Sequence, residues 1–586
     1  MSESHQTDVL VIGSGGAGLR TAIESYDKGA STTVVSNGRI GRCGATMMAG
    51  ADITLDGKSA SEIGLSGNEE DSKEKFFSDI LIQGYYLNNQ KLVDAYVRDA
   101  PARTKELIDW GMRYVWDGKR AVITQGTEIN RVLVDQVRRR KIRILEDIYV
   151  TDLLTVGKTV VGAMGIDVNR GTLLVLRAKA VIIATGGWQN AYSFTSAPEG
   201  LYGDMHAAAF LTGADLVNVE MVTFCPNVIL WPPAFRGDIF PYILVEMFGD
   251  LLDKHGRPFL NEYDPRIQKI AMTTEWNKLI FSLASARVIS RGDGSPNGGV
   301  YYSVKTVPWN IVEEAQKAFP GWKYLRRNYT DLMNSLMRGN AIEVAPAAHY
   351  MEGGILVDEH AATTVDGLFA AGECSGGLFG ANRVASAITQ ILVQGAIAGA
   401  SAAEYAEKHC LQEPEEEQIR EMEMRLTQPF ERKTGIRPVE IKKKIRKTAA
   451  EHLWVIRSGR GLKQAIKDLQ YMTRNDLPQV SVRTQSRTYN REWIDAIQLR
   501  SLLIILEAST RTALMRTETR GVHYRSDYPK TDNDHWLKEI IVGKVNGRMT
   551  MRTRPVIVTK IKPPRGRFGF EECILESQNA PLDILR

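Results

Sequence analysis

The chain has 586 residues, of which 43% are hydrophobic and 24% charged, and its net charge is +5 at pH 7. Such a length predicts more than one domain with a large buried core, in a composition that is ordinary for a globular protein. Its apolar runs stay short of the roughly 18 to 20 residues that cross a bilayer, which excludes a membrane-spanning helix. Because the N-terminus is polar and lacks a secretory pattern, we expect a cytoplasmic protein that reaches a membrane only through partners.

The cysteines are scattered along the sequence without a close pair. Such spacing excludes a zinc knuckle and makes an iron–sulfur cluster held by this chain alone unexpected. We therefore predict no metal site in the chain. The five cysteines are Cys43, Cys225, Cys374, Cys410 and Cys573.

The first predicted element is a short buried strand over 9–12 that runs directly into a glycine-rich turn. A helix over 19–28 and a second strand, Thr32–Val35, follow and give the context of a dinucleotide site. In such a turn, backbone N–H groups and the positive end of the helix face a pyrophosphate. The candidate binding residues of the turn are Gly13, Gly15, Gly16, Ala17 and Gly18.

The residues at the end of the second strand indicate which dinucleotide the site binds. An NAD site has an acid there for the ribose hydroxyls, whereas this chain has a serine and an asparagine. Two later apolar strands, over 180–183 and 364–371, also end at glycines, and in this order they predict one FAD-binding domain interrupted by insertions. The further FAD candidates are Ser36, Asn37, Ala184, Thr185, Gly186, Gly372 and Glu373.

A glycine-rich loop over 38–46 lies where a flavin ring would be, and it adds Gly44, Ala45 and Thr46 to the FAD candidates. Residues 72–112 have helical apolar spacing. A β-rich segment over 148–176 then precedes the strand that ends in Thr-Gly-Gly.

The second half of the chain changes character three times. The segment 220–345 is rich in aromatics and proline, which predicts a lid inserted over the flavin. The FAD domain then resumes and ends with an apolar helix over 385–405. Charged amphipathic helices follow from about residue 414, and a β-like basic tail from about 540.

The predicted fold class is therefore α/β: a Rossmann-like FAD-binding domain with an inserted α+β capping domain, a C-terminal helical bundle and a small β-like tail. The FAD-binding domain is predicted in two parts, 1–219 and 346–410. The cap is predicted at 220–345, the helical domain at 411–540 and the tail at 541–586.

Basic side chains are concentrated in the tail. They indicate either a solvated surface or a surface for a partner protein, and no interleaved aromatics support nucleic-acid binding. These residues are Arg548, Arg552, Arg554, Lys560, Lys562, Arg565 and Arg567.

Further motifs follow the opening turn in a fixed order: Ala-Thr-Gly-Gly at 184–187, His-Tyr-Met-Glu-Gly-Gly-Ile at 349–355, Gly-Glu at 372–373 and Gly-Ala-Asn-Arg at 380–383. The segment 516–529 (RTETRGVHYRSDYP) closes the series. Together they resemble the succinate dehydrogenase/fumarate reductase flavoprotein subunit family, whose members include L-aspartate oxidase and the adenylylsulfate reductase flavoprotein. The resemblance spans nearly the whole chain and implies FAD, a capping domain, a helical domain and usually an iron–sulfur partner subunit.

The resemblance also implies a reaction in which a hydride moves between flavin N5 and a carbon beside a carboxylate. Cations hold the carboxylates, and one group moves a proton on the opposite face. His349 and Arg383 fall where the family binds substrate carboxylate, and the fork of an arginine suits that role. Alternatively, His349 caps a strand in the core and Arg383 bonds to the flavin or backbone. The resemblance adds Asp204, Arg383 and Ser386 to the FAD candidates.

Several positions depart from the family pattern. Cys225-Pro226-Asn227 replaces a His-Pro-Thr, so Cys225 faces the expected site. The arginine that carries the proton in the family has no direct match in this chain. Arg287 lies one position from the expected place and is the first candidate, and Arg291 is the second. The family also has an Arg-Gly-Glu motif before a strand of the lid. That motif has no clear match in this chain, and Glu246 is the nearest acid.

The position of Ala45 bears on how the flavin is held. In respiratory members a histidine before a threonine carries the flavin covalently, and Ala45 takes that place before Thr46. We therefore expect non-covalent FAD with a lowered potential, which favours reduction of a substrate, or a partner of low potential.

Three functions remain open from the sequence. The first is the catalytic flavoprotein subunit of a fumarate reductase/succinate dehydrogenase-like complex that exchanges electrons through an iron–sulfur partner. The second is a relative acting on a different acid, a thiol or a sulfur compound, which the departures and the apolar segment 231–235 favour. The third is a flavin electron-transfer subunit whose substrate site has decayed.

Overall fold

The computed structural model describes residues 3–240, 249–273, 276–311, 330–383 and 385–579, so Glu246 lies outside the described residues. Its central layer is a seven-stranded sheet in which Glu3–Ile12 and Thr172–Ile183 pair in parallel, with Ile12 opposite Ile183. The other strands are Thr32–Val35, Arg143–Leu145, Ile148–Val156, Thr159–Asp167 and Leu368–Ala370.

The long strand Thr172–Ile183 joins the two parts of this sheet. Its first half pairs antiparallel with Thr159–Asp167, and its second half pairs parallel with Leu368–Ala370. The parallel strands therefore end at the same edge. In open α/β sheets this carboxyl edge is where ligands bind.

Helices cover the sheet because its central strands are apolar on both faces. The helix Gly16–Asp27 packs against Ala387–Lys408, and both bury alanine and glycine at the contact. The predicted helical segment 72–112 is two helices, since Gly84–Asn89 forms a turn in which Tyr85 and Tyr86 have positive φ. The remaining helices of this part are Gly57–Glu62, Lys73–Gln83, Gln90–Asp109, Gly126–Arg139 and Asp204–Thr212, beside a small sheet of Gly50–Thr54, Val115–Trp116 and Ala121–Gln125.

A second layer of α+β structure lies over the carboxyl edge, where the sequence predicts the cap. Its four-stranded antiparallel sheet has the order Val222–Trp231, Ile342–Met351, Val300–Ser303 and Asp250–Leu252. The associated helices are Pro265–Thr273, Asn277–Ser290 and Thr330–Met337.

The C-terminal part is helical as predicted. Three helices, Glu416–Glu431, Pro438–His452 and Gly459–Tyr471, pack against a fourth and longer one, Arg491–Met515. The short strands Ile456–Arg457 and Tyr524–Arg525 pair in parallel beside them. None of the described helices combines the length and apolarity needed to cross a membrane.

The tail forms a hairpin, Lys538–Val545 with Arg548–Pro555, that joins a five-stranded sheet. A helix, Phe570–Asn579, follows it, so the tail is not only β-like. The other strands of that sheet are Leu216–Val217, Gly354–Leu356 and Ser375–Gly376, and Thr531–Asp532 pairs with Arg567–Phe568. The domain boundaries given above stay predictions.

Four basic side chains of the tail have acidic partners within the protein. Arg552 pairs with Asp215, Arg554 with Glu539, Lys560 with Asp94 and Arg567 with Asp532. These ion pairs attach the tail to the body of the protein and reduce the positive charge that it presents to solvent.

Candidate functional site

The opening turn has the geometry of a pyrophosphate site. Gly15 caps the helix Gly16–Asp27 and has no side chain that could accept from the first N–H groups of the helix. Gly16 N donates to Thr46 Oγ1 at 3.0 Å, which brings the loop of Gly44, Ala45 and Thr46 over the turn. Backbone donors at a helix N-terminus suit a diphosphate, and the residues present therefore fit FAD.

The other strand ends bring most of the remaining FAD candidates to this edge. Ala184 N donates to Ile12 O at 2.8 Å, and Gly186 has a φ of +71° at the following turn. Ser36, after the second strand, is buried, and its Oγ lies 2.6 Å from that of Ser14. Asn37 is exposed beside it.

Glu373 lies just after the strand Leu368–Ala370, in a short helical turn that begins at Gly372. Its carboxylate accepts hydrogen bonds from Met351 N at 3.1 Å and from Gln189 Nε2. Burial raises the pKa of this carboxyl to about 7, although those two bonds oppose the shift. The sequence did not single out Gln189.

Two FAD candidates have structural roles away from the turn. Asp204 is the first residue of Asp204–Thr212, and burial raises its pKa to about 6 against the effect of the Tyr149 and Ser501 hydroxyls. Ser386 caps Ala387–Lys408, where its Oγ accepts from the backbone N–H groups of the first helical turn. Binding of FAD by Asp204 and Ser386 stays a prediction.

His349 owes its position to a β-bulge. Across the strand pair, Thr223 lies opposite Tyr350 and Phe224 opposite Ala348, so His349 is the extra residue. A bulge turns one side chain out of the regular alternation of a strand. Here the bulge presents an imidazole at the end of the cap sheet that is nearest to the FAD edge.

His349 and Arg383 are joined directly. Arg383 Nη2 lies 3.4 Å from His349 Nε2, and Ser196 Oγ lies 2.9 Å from Nδ1. A guanidinium can only donate, so Nε2 accepts and the proton of the neutral ring is on Nδ1, donated to Ser196. Burial, with the charges of Arg383 and Lys278, holds the pKa of His349 well below its usual range.

Arg383 is fixed on both sides. Its guanidinium carbon lies 4.7 Å from the ring centre of Tyr350, a cation–π contact, and Nη1 donates to Ala385 O at 3.3 Å. The planar fork is thus held against an aromatic face. A planar guanidinium held in this way has the donor geometry that matches a carboxylate.

The closing motif 516–529 supports the arginine loop. Val522 N donates to Ala381 O at 2.9 Å, and Ala381 N donates to Gly84 O at 3.0 Å. A Cβ at Gly521 would lie 2.0 Å from Ala381 O, so glycine is required for this approach. The motif, which is far from Arg383 in sequence, therefore positions it.

The two arginines considered for proton transfer lie on another face. Arg287 donates to Tyr263 Oη at 2.9 Å and to Tyr524 Oη at 3.3 Å, and Arg291 forms an ion pair with Glu262 at 3.2 Å. Their hydrogen bonds therefore go to these residues rather than to His349. Proton transfer by Arg287 or Arg291 stays a prediction.

Cys225 lies in the cap sheet opposite Ala347 and is fully buried. Its Sγ donates to Asn227 Oδ1 at 3.1 Å, and it packs with Val228 and Ala347 in a small apolar cluster. Through these contacts the thiol contributes to the packing of the cap sheet. A catalytic role for it stays a prediction.

Lys278 is a cation of the site that no sequence motif indicated. It lies near the start of Asn277–Ser290 and lines a cavity together with Thr223, Ser282 and Asn382. Its charge contributes to the low pKa of His349. The available signal was a lysine near the start of a largely apolar helix whose other charged residue is Arg287.

Comparison with known proteins identifies the family of the chain. The family described as "FAD binding domain" matches residues 8–388, and that described as "Fumarate reductase flavoprotein C-term" matches 442–568. A component of the fumarate reductase (CoM/CoB) of Methanothermobacter marburgensis is 32% identical over 571 residues, 93% of this chain and 98% of that one. The fumarate reductase flavoprotein subunit of Mycobacterium tuberculosis is 27% identical over 96% and 99% of the two chains. Mycobacterium smegmatis Sdh1, solved in complex with UQ1, matches with a TM-score of 0.84 and 28% identity over 96% of each chain.

The fold and these matches are those of an FAD-dependent oxidoreductase. More narrowly, the chain belongs to the fumarate reductase/succinate dehydrogenase flavoprotein family. The predicted family, fold class and cofactor are thereby confirmed.

Proposed function

We propose that the chain is the catalytic flavoprotein subunit of a fumarate reductase/succinate dehydrogenase-like complex. In this proposal it reduces or oxidises a small carboxylate and exchanges electrons through an iron–sulfur partner subunit. The observation that supports it most is the His349–Arg383 pair, next to Glu373 at the edge where the FAD-binding turn lies. When bound, FAD supplies hydride transfer at its N5.

The residues of this chain bind and orient the acid. In this proposal Arg383 exchanges its hydrogen bonds with His349 and Ala385 for two parallel bonds to one carboxylate. Lys278 adds a second positive charge on the cap side. Ser196 supports His349 in either tautomer, because a hydroxyl both donates and accepts. When a substrate carboxylate replaces His349 as the acceptor for Arg383, the ring proton of His349 can move from Nδ1 to Nε2. Nε2 can then donate a hydrogen bond to that carboxylate.

The test is a half-reaction with the FAD-loaded chain. Flavin reduced anaerobically with dithionite is expected to reoxidise when fumarate is added, and succinate is the matched saturated control that should leave it reduced. If no unsaturated acid reoxidises the flavin while a partner protein does, the chain is an electron-transfer subunit with a decayed site and this proposal fails.

The flavin should be bound without a covalent link. Ala45 offers no nucleophile at the position that carries the flavin in respiratory members, and Thr46 bonds to the turn instead. Acid precipitation of the holoprotein is therefore expected to release all FAD into the supernatant, as measured by its absorbance. A yellow pellet after washing would contradict this expectation.

Partner subunits provide for electron exchange in this proposal. The Methanothermobacter and tuberculosis relatives are components of fumarate reductases, and Mycobacterium smegmatis Sdh1 is solved in complex with UQ1. We infer a peripheral attachment to the cytoplasmic membrane through such partners. Co-purification of an iron–sulfur protein with the full chain is the direct check.

A second candidate function rests on the Methanothermobacter relative, a fumarate reductase that is CoM/CoB-linked by name. In this candidate the electrons for the acid come from CoM and CoB, or from another thiol pair, through the partner protein. Reduction of the flavin in the complex by added thiols, in place of a viologen donor, would favour it.

A further inference from the structure

Glu352 is a buried carboxyl beside the proposed substrate site. It follows directly after the strand Ile342–Met351 and is 3% exposed. It lies two residues beyond Tyr350, whose ring makes the cation–π contact with the Arg383 guanidinium. The Thr223 hydroxyl donates a hydrogen bond to its Oε1. Its Oε2 has no hydrogen-bond partner within the described ranges.

The charged surroundings of Glu352 are mixed. Burial raises its pKa to about 8, the hydrogen bond from Thr223 and the nearby Arg383 oppose the shift, and Glu373 adds to it. Arg457, close on the other side, has its own pKa lowered by burial. Because burial dominates, the carboxyl holds its proton at neutral pH, as does the raised-pKa acid of many active sites.

Thr223 connects this acid to a cavity of the cap. Its hydroxyl bonds to Glu352, and its side chain lines the same cavity as Lys278 and Asn382, the residue before Arg383. Arg287 lines a second cavity with Glu262, and it is linked to the first cavity through its hydrogen bond to Tyr524. The chain therefore has a neutral acid close enough to Arg383 to feel its charge, and a hydroxyl that joins this acid to the cavity lined by Lys278.

We propose that Glu352 holds the proton that is delivered to the substrate, with Thr223 as the hydroxyl that passes it on. The inference rests on the proposed function. The hydride that FAD supplies forms a C–H bond at one olefinic carbon, and the electron pair of the double bond forms the second C–H bond with the proton. In the protonated state Glu352 donates to Thr223 Oγ1, the reverse of the bond described above, which frees the Thr223 hydroxyl to donate toward the substrate. Thr223 then gives its hydroxyl proton to the substrate carbon and takes that of Glu352, which is left as a carboxylate and is reprotonated from water.

The test uses Glu352→Gln in the FAD-loaded chain, with fumarate and a reduced viologen as the electron donor. Turnover is expected to fall about a hundredfold or more, because the amide cannot give up a proton. Fumarate binding, read from the spectrum of the oxidised flavin, is expected to stay within about threefold. The turnover of the unmodified protein should decline as pH rises through about 8, where Glu352 loses its proton, and Glu352→Asp should recover part of the lost rate.

Two further variants distinguish proton transfer from packing. Glu539→Gln changes another buried carboxyl, 1% exposed and paired with Arg554, and is expected to leave turnover unchanged. Thr223→Val keeps the shape and removes the hydroxyl, and should lower turnover at least about tenfold with normal flavin content. This second variant keeps the inference testable if Glu352→Gln does not fold.

Each contrary result has its own meaning. Turnover of Glu352→Gln within about threefold of the parent overturns the inference, and a large loss in Arg287→Ala with none in Glu352→Gln assigns the proton to Arg287 instead. Failure of the unmodified protein to reduce any unsaturated acid overturns the proposed function, and this inference with it. Fumarate turnover with an unchanged pH profile in Glu352→Gln leaves the proposed function intact and removes only the role of Glu352.

Discussion

Replacing Arg383 with alanine is expected to lower the turnover of fumarate by on the order of 10² to 10⁴. The substitution removes two charge-assisted hydrogen bonds to one carboxylate, which together contribute about 3 to 6 kcal/mol. It also removes the partner of His349 Nε2, now 3.4 Å away. Steady-state kinetics with a reduced viologen and fumarate measure the loss in kcat/KM.

Two matched substitutions make this result specific. Arg383→Lys keeps the charge but not the fork, so its turnover should lie between those of the parent and the alanine variant. Arg98, which is exposed and paired with Asp99, is the control, and Arg98→Ala should behave as the parent does. An Arg383→Ala enzyme within tenfold of the parent would show that the guanidinium does not bind the substrate.

Replacing Gly13 with alanine is expected to abolish FAD binding. Gly13 has a φ of +114°, and a Cβ there would lie 2.3 Å from Ala184 O. The new methyl group would push apart Glu3–Ile12 and Thr172–Ile183 at the edge where the pyrophosphate is bound, because the methyl group would meet backbone atoms that cannot rotate away. The ratio of flavin to protein absorbance after purification measures the effect.

Gly29 provides the control for backbone strain. It also has a left-handed conformation, with a φ of +92°, but a Cβ there would meet nothing within 4 Å. Gly29→Ala should therefore cost about 1 to 2 kcal/mol of stability from strain alone and keep its FAD. Equal flavin content in the two variants would contradict this explanation of the turn.

The elements that the sequence predicts well are those specified by local pattern. The opening turn, its flanking strands and the later strands ending at 183 and 371 each have apolar runs followed by glycines. These patterns determine which strands end together, because parallel strands share a carboxyl edge. The FAD edge could therefore be predicted without knowledge of long-range contacts.

The substrate side could not be predicted in the same way, because it depends on contacts between distant segments. Ser196 meets His349 across 153 positions, and Gly521 lies against the loop that carries Arg383. The bulge that aims His349 arises from the register of two strands, and it has no signal in either strand alone. The mixed segment 349–355 identified His349, but it did not show what surrounds it.

Helix geometry explains why Arg287 and Lys278 lie on different sides of the same helix. They are nine positions apart on Asn277–Ser290, which is about two and a half turns, so they project from opposite faces. Matching a motif by residue type favoured Arg287, one place from the expected position. The structure instead brings Lys278, which matches no motif, close enough to His349 for its charge to help lower the pKa of that ring.

The most direct test of the proposed site is a structure of the FAD-loaded chain with a bound dicarboxylate. We predict the diphosphate at the N–H groups that follow Gly15, and one carboxylate on Arg383 and His349 with its neighbouring carbon over the flavin ring. A nicotinamide in the cleft, or a dicarboxylate held elsewhere with Arg383 turned away, would contradict it.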